Sequence, residues 1–300
     1  MRITDRQIEH YREHGYVIVE NFLEPGELAR ARDEIEAYIP GWLGYAANPR
    51  GAKPEGWDKP ARSRRTTRFP FPGTQLNAIT LHPELWRFAS VMYDQQALYC
   101  EQSDLSYKCK GHAADKDQHM HVDYINHTLA YPPVDPTYWQ TTYLVYYTDV
   151  TEDQAPTAVC SERHYANEIR WPPFHSPEER PSLYENEVKA TVPAGSLLAY
   201  CVRTFHRGTA FKKEGARVSQ FISYSPAACP WLGINGWPEQ GTRPEFRDWI
   251  ERAEPREREI FGFPAPGHPY WSEETLAGVG ARYPEMDLSP YRNCPKEEIG

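Results

Sequence analysis

The stretch Ser196-Leu-Leu-Ala-Tyr-Cys-Val202, continuing through Thr204-Phe-His206-Arg-Gly208 to Arg217-Val-Ser-Gln-Phe-Ile-Ser-Tyr224, decides the fold. Two runs rich in apolar, aromatic and β-branched residues, 196–202 and 218–224, stand in series with no helical period between them. The same pattern recurs upstream at Leu98 to Cys100, around Tyr107 and Lys108, at His119 to Tyr124, at Thr141 to Tyr147 and at Val188 to Val192. Strands that follow one another without intervening helices predict an antiparallel sandwich or barrel, not a parallel α/β sheet. The expected class is mainly β with flanking helices.

Outward from this core, the first forty residues predict helix, strand and helix. Thr4 and Gln7 form a capping box, Gly15 sits where a helix-ending glycine would, and Tyr16 to Val19 is rich in β-branched residues. Pro25 then opens an amphipathic helix with apolar Leu28, Ala31, Ile35 and Tyr38, ending before Pro40. From Gly41 to about Gly73 the composition turns to Pro, Gly and charge, with the basic cluster Arg62, Arg64, Arg65 and Arg68. A solvated loop and a clamp for a substrate anion are both compatible with it. After Pro226 the chain predicts short helices at Pro244 to Arg252, Pro255 to Phe261 and from Ser272, forming a cap. No repeat or linker appears, so residues 1–300 are expected to form one domain: an opening at 1–40, a β core at 98–226 and a C-terminal segment at 227–300.

Composition narrows the function. The 300 residues hold 33 basic and 42 acidic side chains, and a net charge of −9 repels a polyphosphate backbone, which argues against nucleic-acid binding. Six cysteines without a C-x-x-C pair indicate neither a zinc knuckle nor a disulfide scaffold and fit a reducing, cytoplasmic location. The longest apolar run, Leu197 to Val202, is far short of a membrane span, so no membrane partner is expected.

The most informative heptad for chemistry is Gln118-His-Met-His-Val-Asp-Tyr124. In a strand, His121 and Asp123 would share a face while Val122 points away. A lone His-x-Asp is weak, since composition alone supplies roughly 0.5 such pairs in this chain. His206 at the end of the 196–202 strand changes the weight: two imidazoles and one carboxylate make a face that leaves positions of an octahedral Fe(II) open. Arg217 offers the fork of donors that grips a carboxylate in bidentate fashion. His119 with His121 also fits a cupin-type motif, but that pattern expects a glutamate where Ile125, Asn126 and His127 stand.

These motifs resemble the phytanoyl-CoA dioxygenase family of Fe(II)/2-oxoglutarate-dependent oxygenases. The resemblance runs from Tyr11-Arg-Glu-His-Gly-Tyr-Val-Ile-Val-Glu-Asn-Phe-Leu23 through Lys108, His121-Val-Asp123, Tyr143 to Val150, the Pro193-Ala-Gly-Ser196 turn, and His206-Arg-Gly to Arg217. It implies a double-stranded β-helix core, a cupin-like jelly roll. It implies His121, Asp123 and His206 as iron ligands, Arg217 as the partner of the 2-oxoglutarate C5 carboxylate, and Lys108 and Thr142 as further cosubstrate contacts. The implied reaction consumes O₂ and 2-oxoglutarate, releases succinate and CO₂, and oxidises a small metabolite, with hydroxylation of an unactivated C–H bond favoured over desaturation or cyclisation. Asp123 stands where related halogenases have a small residue, which favours oxidation over halogenation. One departure is Cys160-Ser-Glu-Arg-His164, where family members commonly show Pro-Gly-Ser-His near the mouth of the site.

Tyr124 and Trp139 are candidate substrate contacts, as are Arg62, Arg64 and Arg65 for a substrate with an apolar body and an anionic group. The rival from another class is a non-catalytic jelly roll that binds a small ligand and has no use for Arg217. The oligomeric state stays open.

Overall fold

The computed structural model describes residues 3–294 apart from 59–67, 96, 167, 230, 234–235, 238–242 and 269. Arg62, Arg64 and Arg65 lie outside the described residues. The opening folds as its signals dictate. Helix α1 (Asp5–His14) carries the Thr4–Gln7 capping box and ends on Gly15 in the left-handed region, φ 75°. Strand β1 (Tyr16–Val19) follows, then α2 (Pro25–Tyr38) with proline in its first turn.

Within the 41–73 segment the described residues are not all loop: α3 (Trp42–Ala47) forms there, and Trp42, Leu43, Tyr45, Phe69 and Phe71 are buried, while α4 (Gln75–Thr80) and α5 (Pro83–Tyr93) follow it. The aromatic residues, not the charges, decide its fate, because their burial outweighs the turn-forming composition around them.

Among the described residues, ten strands form two antiparallel five-stranded sheets. The major sheet has the order β1, β8 (Leu197–Cys201), β4 (Thr141–Tyr146), β10 (Ala216–Pro226) and β2 (Leu98–Cys109). The minor sheet has the order β6 (Phe174–His175), β3 (Met120–His121), β9 (His206–Gly208), β5 (Thr157–Cys160) and β7 (Glu187–Lys189). The non-sequential order, with strands alternating between sheets, is the double-stranded β-helix. The two upstream strands expected at 98–100 and 107–108 are one continuous β2.

Alternation sorts each strand's side chains between two cores. Val17, Tyr143, Val145, Leu197, Ala199, Val218 and Ile222 face outward into a large apolar core shared with the helices. Tyr16, Leu144, Tyr146, Leu198 and Tyr200 face inward and meet Val159 of the minor sheet. The C-terminal segment packs on the outward side: Phe246 and Phe261 join Phe69 in an aromatic cluster, and Cys100 N–H donates to the Ile260 carbonyl. It buttresses the back of the major sheet.

The inner face is uncovered at one end. On β2 the outward Leu105, Tyr107 and Cys109 are buried, while the inward Gln102, Asp104, Ser106 and Lys108 are half-buried. Phe221, in the middle of β10 with strands on both sides, is half-buried as well. The space between the sheets is a cleft open along β2 and β10.

Candidate metal centre

His121 and His206 are direct partners across β3 and β9, which brings two imidazoles to one point of the minor sheet with ring centroids 4.5 Å apart. Each ring is oriented by its own backbone: Nδ1 of His121 meets the His119 carbonyl at 2.8 Å, and Nδ1 of His206 meets the Thr204 carbonyl at 3.0 Å. A carbonyl accepts only from N–H, so both protons sit on Nδ1 and both Nε2 lone pairs point inward.

Asp123 closes the triangle by a route the heptad did not announce. The strand stops at His121, and Asp123 has helical backbone angles (φ −81°, ψ −13°) at the start of a short helix α6 (Tyr124–His127). An extended 119–124 strand was expected; the turn instead swings the carboxylate toward both rings, with Oδ1 3.8 Å from His121 Nε2 and Oδ2 3.3 Å from His206 Nε2. Val122 turns away into the apolar cluster behind the minor sheet, as expected. His121, Asp123 and His206 each offer one ligand atom, all within 4.8 Å of one another, the one such group among the described residues.

The electrostatics fit a cation. Burial, then the charge of His206, push His121 down to about 4, so it is neutral at physiological pH. Burial would lower His206 too, but the Asp123 carboxylate outweighs it and raises its pKa. Burial opposes ionisation of Asp123, yet His206 beside it holds the carboxyl well below the usual range. Two inward imidazole nitrogens and an ionised oxygen, short of a full coordination sphere, are the donor set of a non-haem ferrous site.

Arg217 is buried on the inner face of β10. One guanidinium nitrogen donates to the Ala155 carbonyl, Nε has no partner, and no carboxylate lies within ion-pair distance among the described residues. Burial lowers its pKa, with Tyr146 and Tyr200 opposing. A buried cation without an anion is costly unless a ligand supplies one. Lys108 is the strand partner of Arg217, and its ammonium lies beside Gly208 of β9. The residues therefore fit 2-oxoglutarate, with a metal face on one sheet and a cation pair on the other.

Other candidates fall elsewhere. Thr142 bonds Ser223 at 3.1 Å, and Ser223 is six residues along β10 from Arg217, roughly 20 Å of extended strand. Thr142 thus stands away from Arg217 and is instead the strand partner of Tyr200, whose hydroxyl reaches Asp123. Trp139 is packed against Tyr11 in the outward core, and the Tyr124 hydroxyl donates to the Arg170 carbonyl behind the minor sheet. Neither meets the open cleft, because each is committed to an apolar core on the far side of its sheet. The Cys160 to His164 segment is also not at the mouth: Glu162 is buried, accepting from Arg170 at 2.6 Å, and Ser161 bonds His14 of α1.

Sequence reasoning missed Tyr200, whose ring lies 4.4 Å from that of His206 and whose hydroxyl reaches Asp123 Oδ2 at 3.5 Å. It also missed Gln102 and Asp104, which face inward on β2; Ser103 between them is polar too, so no polar–apolar alternation marks the face there.

A family model described as phytanoyl-CoA dioxygenase matches residues 11–219. The chain belongs to the phytanoyl-CoA dioxygenase family. Membership makes it a 2-oxoglutarate-dependent non-haem iron enzyme. No curated protein matches it significantly. Among solved structures, the epimerase SnoN in complex with Fe3+, alpha ketoglutarate and nogalamycin RO is similar at 16% identity, covering 77% of this chain and 86% of SnoN with a TM-score of 0.55. The carbocyclase SnoK from nogalamycin biosynthesis is similar at 18% identity, 81% and 92% coverage and a TM-score of 0.55. HygX from Streptomyces hygroscopicus, with nickel and 2-oxoglutarate bound, is similar at 16% identity, 75% and 87% coverage and a TM-score of 0.53. At these identities the likeness is one of fold. No helix among the described residues of this family member is long and apolar enough to cross a membrane.

Proposed function

We propose that this chain is a single catalytic unit that hydroxylates an unactivated C–H bond of a small metabolite, with His121, Asp123 and His206 holding Fe(II) and Arg217 gripping the far carboxylate of 2-oxoglutarate. The observation that carries the reading is the convergence of His121 Nε2, His206 Nε2 and the Asp123 carboxylate in a cleft that also buries a cation without a counter-ion. Iron with 2-oxoglutarate and O₂ supplies an oxidant strong enough for such a bond, with succinate and CO₂ as co-products.

The chain's own groups bind and orient. Thr204 and His119 carbonyls fix the imidazoles, so the ligand atoms need not reorganise. Lys108 beside Arg217 adds positive charge where a dicarboxylate would end. The large core shared by the C-terminal segment and the helical layer supports one unit rather than two domains.

The test is succinate release and O₂ uptake with Fe(II) and 2-oxoglutarate. Wild-type protein is expected to turn over slowly without substrate, while Asp123→Ala and Arg217→Ala fall to the protein-free background. Equal rates in all three would sink the enzyme reading. Product mass with a true substrate separates outcomes: gain of one oxygen for hydroxylation, loss of two hydrogens for desaturation or ring closure, and no change for epimerisation, the activity named for SnoN.

A further inference from the structure

The open cleft is electrically divided. At one end Arg217 and Lys108 face each other across β10 and β2. Further along the same two strands the inward side chains are Ser219 and Ser106, then Phe221 and Asp104, then Ser223 and Gln102. Glu101, one residue on and buried, accepts from Ser225 at 2.5 Å. Cation pair and carboxylates thus occupy opposite ends of one wall.

The carboxylate end is polar across three strands and joined to the metal ligands. Asp123 meets the Tyr200 hydroxyl, and Tyr200 and Thr142 are direct strand partners across β8 and β4. Thr142 bonds Ser223 at 3.1 Å, Ser223 reaches Gln102 at 3.4 Å, and Gln102 Nε2 donates to Asp104 Oδ2 at 2.8 Å. Two atoms on this wall want partners. Asp104 Oδ1 is buried without a hydrogen bond; Arg68 Nε, on a half-exposed side chain, lies 3.4 Å away but is not aligned as a donor. Gln140, fully buried, bonds His127 through Oε1 at 2.7 Å and leaves Nε2 unpartnered. His127 ends the short helix α6 that begins after Asp123.

Buried polar atoms without partners are uncommon and mark places where a ligand completes the network. Hydroxyls and amides that both donate and accept, in a row, match a ligand whose hydroxyls also do both. The Asp104 oxygen that accepts no hydrogen bond, with Arg68 as its ion-pair partner at 3.4 Å, adds a preference for positive charge, and an anionic or acyl substrate would meet the Asp104 carboxylate here. Burial raises the Asp104 pKa, with the Gln102 hydrogen bond and Arg68 only partly opposing, so its charge is under-compensated.

We infer that the substrate is an aminated polyol, a sugar- or cyclitol-like molecule whose hydroxyls lie along Gln140, Thr142, Ser223 and Gln102 and whose ammonium pairs with Asp104. It differs from the anionic substrate that the sequence of the Arg62 to Arg68 cluster suggests, and it rests on the iron and 2-oxoglutarate reading above.

The test is ligand-observed saturation-transfer NMR on protein loaded with diamagnetic Zn(II) and 2-oxoglutarate, titrated with glucosamine, glucose, glucuronate and octanoate. Glucosamine is expected to bind tightest and glucose next. Asp104→Asn, an isosteric change, is expected to weaken glucosamine about tenfold, leave glucose within about threefold and so erase the difference between them. Gln140→Leu is expected to weaken both sugars. Octanoate or glucuronate binding tightest, neither sugar binding, or an order untouched by Asp104→Asn would each overturn the assignment. The 2-oxoglutarate signal, lost in Arg217→Ala, separates the levels: present while the sugars fail, only the substrate class falls; absent in wild type, both readings fall.

Discussion

His206 and His121 face the same carboxylate yet are shifted in opposite directions, and the difference has a measurable consequence. A metal binds the Nε2 lone pair of neutral imidazole, so the extra proton of an imidazolium must leave first. Burial and the charge of His206 take His121 down to about 4, and it is the neutral imidazole at physiological pH. His206 is raised because Asp123 outweighs its burial, so it is the ring that takes up the extra proton first as the pH falls. The expected apparent affinity for Ni(II) or Zn(II) falls about tenfold per unit between about pH 6 and about pH 5, below the raised His206 range and above that of His121, a one-proton slope. Calorimetric titration across that range checks this; a two-proton slope would mean that both rings are protonated in the metal-free protein. The identity of the three residues was legible in the sequence, because His-x-Asp and a distant histidine in β context are chemical signals. The half-buried acid at Asp104 was not, because nothing local distinguishes a carboxylate facing a cleft from one facing water.

The element that positions His206 is the turn between β8 and β9, and it is tied to the N-terminal helix through one glycine. The Gly15 carbonyl accepts from Cys201 N–H and, at 2.7 Å, from the Thr204 hydroxyl, while the Thr204 carbonyl holds His206. Gly15 sits at φ 75°, and a Cβ there would lie 2.5 Å from Glu162 and 2.6 Å from Thr204. Gly15→Ala is expected to cost about 1–3 kcal/mol, since strained backbone and a displaced Thr204 add. Metal affinity should fall with it, because the displaced residue orients a ligand. Thermal melts and Ni(II) titration of the variant check the pair; lost stability with unchanged affinity would uncouple the helix from the site. Capping signals made α1 and Gly15 readable in advance. The break at Asp123 was not, because a two-residue strand running into a helical turn has no period for a pattern to show.

At the scale of the molecule, the two sheets divide the labour, with the metal face on the minor sheet and Arg217 on the major one. The serial strands predicted the two-sheet core, whereas the role of the C-terminal segment depended on long-range contacts to Phe69 and Cys100 that no local pattern encodes. The division sets an order for ligand effects on stability. A ligand bound only by the folded state stabilises it by mass action, about 2.7 kcal/mol at a hundredfold excess over its dissociation constant. Metal needs only the minor sheet, so Ni(II) alone should raise the melting temperature of wild type and of Arg217→Ala alike. In the proposed site, 2-oxoglutarate needs both a metal to chelate and Arg217 to receive its far carboxylate. Its increment should therefore appear only after Ni(II), vanish in Arg217→Ala, and vanish in Asp123→Ala together with the metal's own. Differential scanning calorimetry of the three proteins, with each ligand alone and with both, reads all of these increments. An increment from 2-oxoglutarate that survives in Arg217→Ala would move the cosubstrate's far end away from β10, and with it the division of the cleft into a cationic and an anionic end.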